Sequence, residues 1–171
     1  MSPAAKRTTL RDRETQARAT TPAEPSAAAG GLIRMGTYWQ MGTFAAAKSA
    51  YLVDLDQLPG CPDSFARWIN RAIAIHAGLT PERRSQLVQR LGPEAKDGGV
   101  SRSFVLAADT IEAMETAIVL DRTSRVRVTN RTEFVTDAVR AAVAEAKARY
   151  GSDELPVAPA RLPNKPVRAR P

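Results

Sequence analysis

Arg34, Gly36 and Tyr38 alternate along "RMGTYWQM" (34–41), and Ser101, Ser103 and Val105 alternate along "SRSFVLA" (101–107). A spacing of two puts side chains on one face of a strand. These residue types suit recognition rather than bond breaking. An arginine presents two N–H donors in one plane, a serine hydroxyl donates and accepts, and a valine offers methyl contact. Groups of this kind can match the hydrogen-bonding edges and methyls found in the B-DNA major groove, where Arg34 could grip a guanine edge with two hydrogen bonds. The six look outward if Phe104 and Leu106, with Thr37 and Trp39, face a core. A one-residue slip exchanges the faces and presents Arg102 and Thr37 instead. Tyr38 also suits the role of a half-buried strand residue.

Residues for other chemistry are sparse. His76 is the single histidine and Cys61 the single cysteine, so neither a metal quartet nor an intrachain disulfide is expected. Asp54 and Asp56 fall on opposite sides of a helix and form no acid–base dyad. "GPEAKDGG" lacks the Gly-Lys-Ser/Thr ending of a phosphate-cradling loop. The expectation is a protein without catalytic residues, metal or cofactor. Trp39, Trp68, Tyr51, Phe65 and Phe134 sit at strand or helical spacing and are expected in the core.

Two sets of elements must position the alternating stretches. After the first, Phe44, Ala47, Tyr51, Leu52 and Leu55 mark one face of a helix over about 43–56. "LPGCPD" is a turn, and Pro62 suits the first position of a second helix with Phe65, Trp68, Ile69, Ala72, Ile73 and His76 on its face. Gly78 ends it. Thr80 and Pro81 then start a third helix, to about Leu91. After the second stretch, Ile111, Met114 and Ile118 mark a helix over about 109–121. "RTSRVRVTN" reads as a polar loop or frayed helix end, where Arg125 and Arg127 are either solvated or free to touch phosphate. Asn130 and Glu133 form a capping box for a last helix over about 131–149, which buries Phe134, Ala138, Val139, Ala142 and Val143 and ends at Gly151.

The domains expected are a disordered basic tail (1–31), a first unit with an extra helix (32–91), a linker (92–100), a second unit (101–151) and a disordered Pro-rich tail (152–171). The 171-residue chain carries 25 Lys+Arg against 18 Asp+Glu, net +7. The tails hold nine of those bases and five of the acids, so most of the net charge sits on them. Such a balance favours a polyanionic partner, nucleic acid more often than an anionic membrane surface. No secretory signal and no bilayer-spanning stretch is apparent, so a cytoplasmic location without membrane attachment is expected.

The two units repeat. Overlaying Trp39 on Leu106 places Phe44 on Ile111, and in both units a turn leads to a second helix opening with Phe, Phe65 or Phe134. A lone strand with two short helices cannot close a core. The expected fold is therefore mostly α, a short antiparallel β-ribbon shared by two β-α-α units. Pairing within one chain, as a pseudo-dimer, is the favoured arrangement; pairing with a second chain, as a homodimer, is the alternative. The linker spans the return, since nine extended residues reach about 30 Å.

"SFVLAADTIEAMETAI" with "VTNRTEFVTDAVRAAV", within 101–147, resembles the ribbon-helix-helix family of DNA-binding proteins, which includes repressors, antitoxins and plasmid partition proteins. Residues 34–84 are more similar to plasmid centromere-binding ParB-type proteins of that fold. The resemblance rests on the Gly-x-Tyr-aromatic strand, the "FAAAKSAYL" helix and the "DSFARWI" helix. Met41 and Ala107 stand near the place of the proline that commonly follows the strand, so a looser corner is expected.

The resemblance implies double-stranded DNA as partner and base reading by Arg34, Gly36, Tyr38, Ser101, Ser103 and Val105. Phosphate would be met at the N-termini of the second helices, whose free N–H groups attract anions, by Asn130, Arg131 and Thr132 in one unit and Asp63 and Ser64 in the other. Asp63 would repel phosphate unless only its backbone engages. The resemblance further implies a ParA-type ATPase partner for the N-terminal tail, with Arg7, Arg11 and Arg13 the contacting arginines; non-specific attraction to DNA is the competing role. A repressor, an antitoxin, a conjugation accessory factor and a helical protein-interaction module are the alternatives to partition.

Overall fold

The computed structural model describes residues 31–163. Residues 32–40 and 99–107 form strands β1 (Leu32–Gln40) and β2 (Gly99–Ala107), which pair antiparallel along their whole length, Leu32 opposite Ala107 and Gln40 opposite Gly99. Helices follow as α1 (Met41–Gln57), α2 (Phe65–Ala77) and α3 (Pro81–Leu91) after β1, and α4 (Ala108–Thr123) and α5 (Arg131–Tyr150) after β2. The described residues are thus mostly helical, with one two-stranded sheet.

One face of the ribbon lies on the helices. Thr37, Trp39 and Leu106 are buried, and Met35, Val100 and Phe104 partly so. Burying a side chain of this size contributes about 1.5–3 kcal/mol, enough to fix which face turns inward. Trp39, Phe44, Phe65 and Phe104 form a chain of tilted and edge-on aromatic contacts with ring centroids 5.9–6.0 Å apart. Beneath them lie Tyr51, Trp68, Ile69, Ile73, Met114, Phe134, Val135 and Val139.

Helix α1 lies mainly against α5, and α4 against α2. The overlay of Trp39 on Leu106 also places Gly36 on Ser103, and these two are direct partners in the ribbon. The two strands are therefore related by an approximate twofold through that pair. Neither strand-to-helix corner has a side-chain cap. Instead Met41 N–H donates to Gly98 O (2.9 Å) and Ala108 N–H to Gly31 O (2.8 Å), each reaching the start of the opposite strand. A proline, having no N–H, could not make this bond at either position. The linker closes the first corner further: Asp97 Oδ2 accepts from Gly42 N–H at 2.7 Å, and Thr43 Oγ1 donates to Glu94 Oε1 at 2.5 Å.

Helix α2 begins at Phe65, three residues later than Pro62 suggested. Ser64 is extended (φ −144°, ψ 152°) and its side chain accepts from Arg67 N–H, so Pro62 belongs to the turn. The opening phenylalanines are consequently not equivalent. Counted from the caps Ser64 and Asn130, the counterpart of Phe134 is Trp68, both fully in the core. Thr80 caps α3 with Pro81 first, and Gly151 ends α5 in the left-handed region (φ 76°).

Buried polar groups tie the helices together. Arg84 of α3 bonds Asp121 of α4 (Nη2–Oδ1 2.6 Å) and also donates to Ala77 O, Leu79 O and Ala117 O. Asp54 of α1 accepts from Trp68 Nε1 at 2.8 Å and from Arg149 Nη2 at 2.7 Å. His76 packs edge-on against Phe134 at 4.9 Å. Of the Pro-rich stretch, the described residues 152–163 have no helix or strand. They return over α1, where Ala158 N–H donates to Ser49 Oγ and Leu155 and Leu162 meet the core.

Candidate nucleic-acid interface

The ribbon's other face carries no core. Arg34, Gly36, Tyr38, Ser101, Ser103 and Val105 are all exposed, Tyr38 at 55% and Val105 at 40%. The register makes them three direct pairs: Arg34 with Val105, Gly36 with Ser103, and Tyr38 with Ser101. The slipped register is not adopted, since Thr37 is only 3% exposed. Arg102 belongs to the core-side parity and lays its guanidinium over the Phe44 ring, 5.6 Å from the centroid.

Two contacts organise this outer face. Arg34 Nη1 donates to Ser103 Oγ at 3.1 Å, diagonally across the strands. Tyr38 lies along the ribbon over Gly99, where a Cβ would collide with the phenol, so any larger residue at 99 would displace the tyrosine from this position. Gly36, between them, has open space above it. The result is a low surface with an arginine near one end, a tyrosine and a serine at the other and the Ser103 hydroxyl between.

The N-termini of α5 and α2 lie at the ribbon's flanks. A cleft of about 280 Å³ is lined by Tyr38 and Gln40 of β1, Gly92 of the linker and Thr132 and Glu133 of α5. At α2, Phe65 packs on Phe104, and Asn70 Oδ1 accepts from Ala107 N–H at 2.9 Å. The side chains at these termini are already engaged. Asn130 Oδ1 accepts from Glu133 N–H (2.9 Å) and Glu133 Oε2 from Asn130 N–H (3.2 Å), completing the capping box. Arg131 pairs with Glu115, and Asp63 with Arg67 at 2.9 Å. Thr132 is half-buried. Arg127 does not stand free in its loop: it pairs with buried Asp137, whose carboxyl pKa is raised by burial although Arg127 opposes the shift. Arg7, Arg11 and Arg13 lie outside the described residues.

Sequence reasoning missed Gly99 and the linker's Glu94 and Asp97, which seat the ribbon on α1. The double glycine "GG" at 98–99, where β2 begins, was the only local signal for the first of them. Among the described residues no group of three or more His, Cys, Asp or Glu is placed to hold a metal, and no helix is long and apolar enough to cross a membrane. Burial pushes the Cys61 thiol up to about 11, against reactivity. Compared with protein-family models, curated proteins and solved structures, the chain matches none.

Proposed function

We propose that this chain reads double-stranded DNA with its ribbon in the major groove, as a ribbon-helix-helix protein whose two units sit in one chain. One observation carries the reading. A two-stranded ribbon of groove-filling width turns Arg34, Gly36, Tyr38, Ser101, Ser103 and Val105 to solvent while Thr37, Trp39 and Leu106 on its other face are buried against the helices. On that free face stand an arginine, a tyrosine and two serines, groups that hydrogen-bond readout of base edges uses. The helix N-termini of α2 and α5 at its flanks supply N–H dipoles for the phosphates on either side.

Within that class we assign the chain to plasmid partition, on the similarity of residues 34–84 to centromere-binding ParB-type proteins. Its partner would be a ParA-type ATPase met by residues 1–31. Deleting residues 2–31 should abolish stimulation of that ATPase and leave DNA binding to the ribbon; unchanged stimulation rejects the tail's role.

The test of DNA reading is selection of the purified protein on a random duplex library at about 150 mM salt, which suppresses purely electrostatic binding. An enriched motif that Arg34→Ala weakens is the expected result. Binding that disappears at this salt without any motif overturns the proposal.

A further inference from the structure

The approximate twofold relates the backbones of the two strands but not their outer side chains. The overlay of Trp39 on Leu106 places Arg34 on Ser101, Gly36 on Ser103 and Tyr38 on Val105, and no position is occupied alike. One end of the reading face is Arg34 with Val105, and the other is Tyr38 with Ser101. The first offers two planar donors and a methyl surface; the second offers a phenol and a hydroxyl. The Arg34–Ser103 bond has no counterpart, because Gly36 stands where the second serine would be.

The flanks differ in the same sense. At the α5 N-terminus the cap is neutral Asn130, followed by Arg131; at the α2 N-terminus Asp63 precedes the cap. Each of these charges is paired, Arg131 with Glu115 and Asp63 with Arg67, and α5 adds Glu133 in its first turn, so the flanks differ in the residues they present rather than in net attraction for phosphate.

From this we infer, resting on the DNA-reading proposal above, that the ligand is a non-palindromic DNA element which the chain binds in a single orientation. A homodimeric ribbon presents the same residues twice and selects an inverted repeat. A ribbon with two chemically distinct ends gains by matching each end to a different half-element. Inverting the element moves the Arg34 donors from their matched base pair to one selected by Tyr38 and Ser101. The lost bidentate contact should weaken binding roughly five- to 150-fold. On tandem elements every copy would then point the same way.

The experiment compares the selected element with two symmetrised versions, each built from one half and its inverse, by titration at about 150 mM salt. Both symmetrised duplexes should bind at least tenfold more weakly than the selected one. A second selection uses the triple variant R34S/G36S/Y38V, which gives both strands the same outer residues. These side chains are exposed and Gly36 has space for a Cβ, so the fold should persist, as circular dichroism would verify. Its selected motif should become palindromic. An already palindromic wild-type motif, or a symmetrised duplex bound as tightly as the selected one, overturns the inference while leaving DNA reading intact. No motif at all overturns both.

Discussion

Arg34 Nη1 donates to Ser103 Oγ at 3.1 Å, a bond that crosses the ribbon from one strand to the other on its solvent face. It holds the guanidinium over the centre of the proposed reading face. Being exposed, it contributes little to folding, and Arg34→Ala should change unfolding free energy by no more than about 0.5 kcal/mol. The same variant should weaken the selected DNA element by about 1–3 kcal/mol, roughly five- to 150-fold. Ser103→Ala separates the two roles, since it frees the guanidinium but removes a hydroxyl. Paired denaturant melts and DNA titrations measure both; a large stability loss with unchanged affinity would make the bond structural.

The α5 cap allows a second separation. Asn130 is already engaged by Glu133, so Asn130→Ala should lower stability by about 1 kcal/mol whether or not DNA is present. Arg131 is itself largely exposed and bonds the buried Oε1 of a partly exposed Glu115, so Arg131→Ala should lower the melting temperature by no more than about a few degrees. If Arg131 meets phosphate, its loss weakens binding equally on all sequences and lowers the slope of log affinity against log salt by about 1. An unchanged slope removes Arg131 from the interface.

The contrast between Asn130 and Asp54 shows what the sequence could reveal. Asn130, Glu133, Thr80, Pro81 and Gly151 act within one helical turn, so residue type and short spacing were enough to place them. Strand alternation was equally local, and it placed all six outward residues on one face. Asp54 finds Arg149 across 95 positions, and Arg84 finds Asp121 across 37. No local pattern announces such pairs, because each exists only once the helices have met. The displaced start of α2 is a different failure. Two start signals, Pro62 and Ser64, lay two residues apart, and the side-chain acceptor prevailed over the preset φ of proline.

Acid should destabilise the fold through His76. Burial, with Arg84 and Arg127 adding repulsion and Asp121 opposing it, lowers its pKa from 6.5 to about 4. The unfolded chain therefore binds the proton first. Stability is complete above the unfolded value and is lost as pH falls from about 6.5 towards 4, by up to about 3 kcal/mol. Asp137 works with the opposite sign: its raised pKa makes the charged form costly, and protonation relieves that cost as pH falls. Urea midpoints between pH 7 and pH 4 should decline, and His76→Leu should flatten the decline. The substitution breaks no hydrogen bond at Nδ1, which has no partner. An equally steep decline in the variant would place the acid sensitivity elsewhere.

The Arg84–Asp121 pair is the harder case, because its removal has two different consequences. Asp121→Ala leaves a guanidinium buried without its counter-charge, which should cost about 3–5 kcal/mol. Replacing both partners by apolar residues commonly restores stability or improves it. Here recovery should be partial. Arg84 also donates to Ala77 O and Leu79 O, carbonyls at the end of α2, and to Ala117 O of α4. A helix end buried without donors is unfavourable whatever fills the space beside it. The expected order of stability is therefore wild type, then R84M/D121L, then Asp121→Ala. If the double variant matched the wild type in urea denaturation, the carbonyl bonds would contribute nothing, and Arg84 would serve only as the partner of Asp121. If it fell as low as Asp121→Ala, closing α2 would be the main work of this arginine.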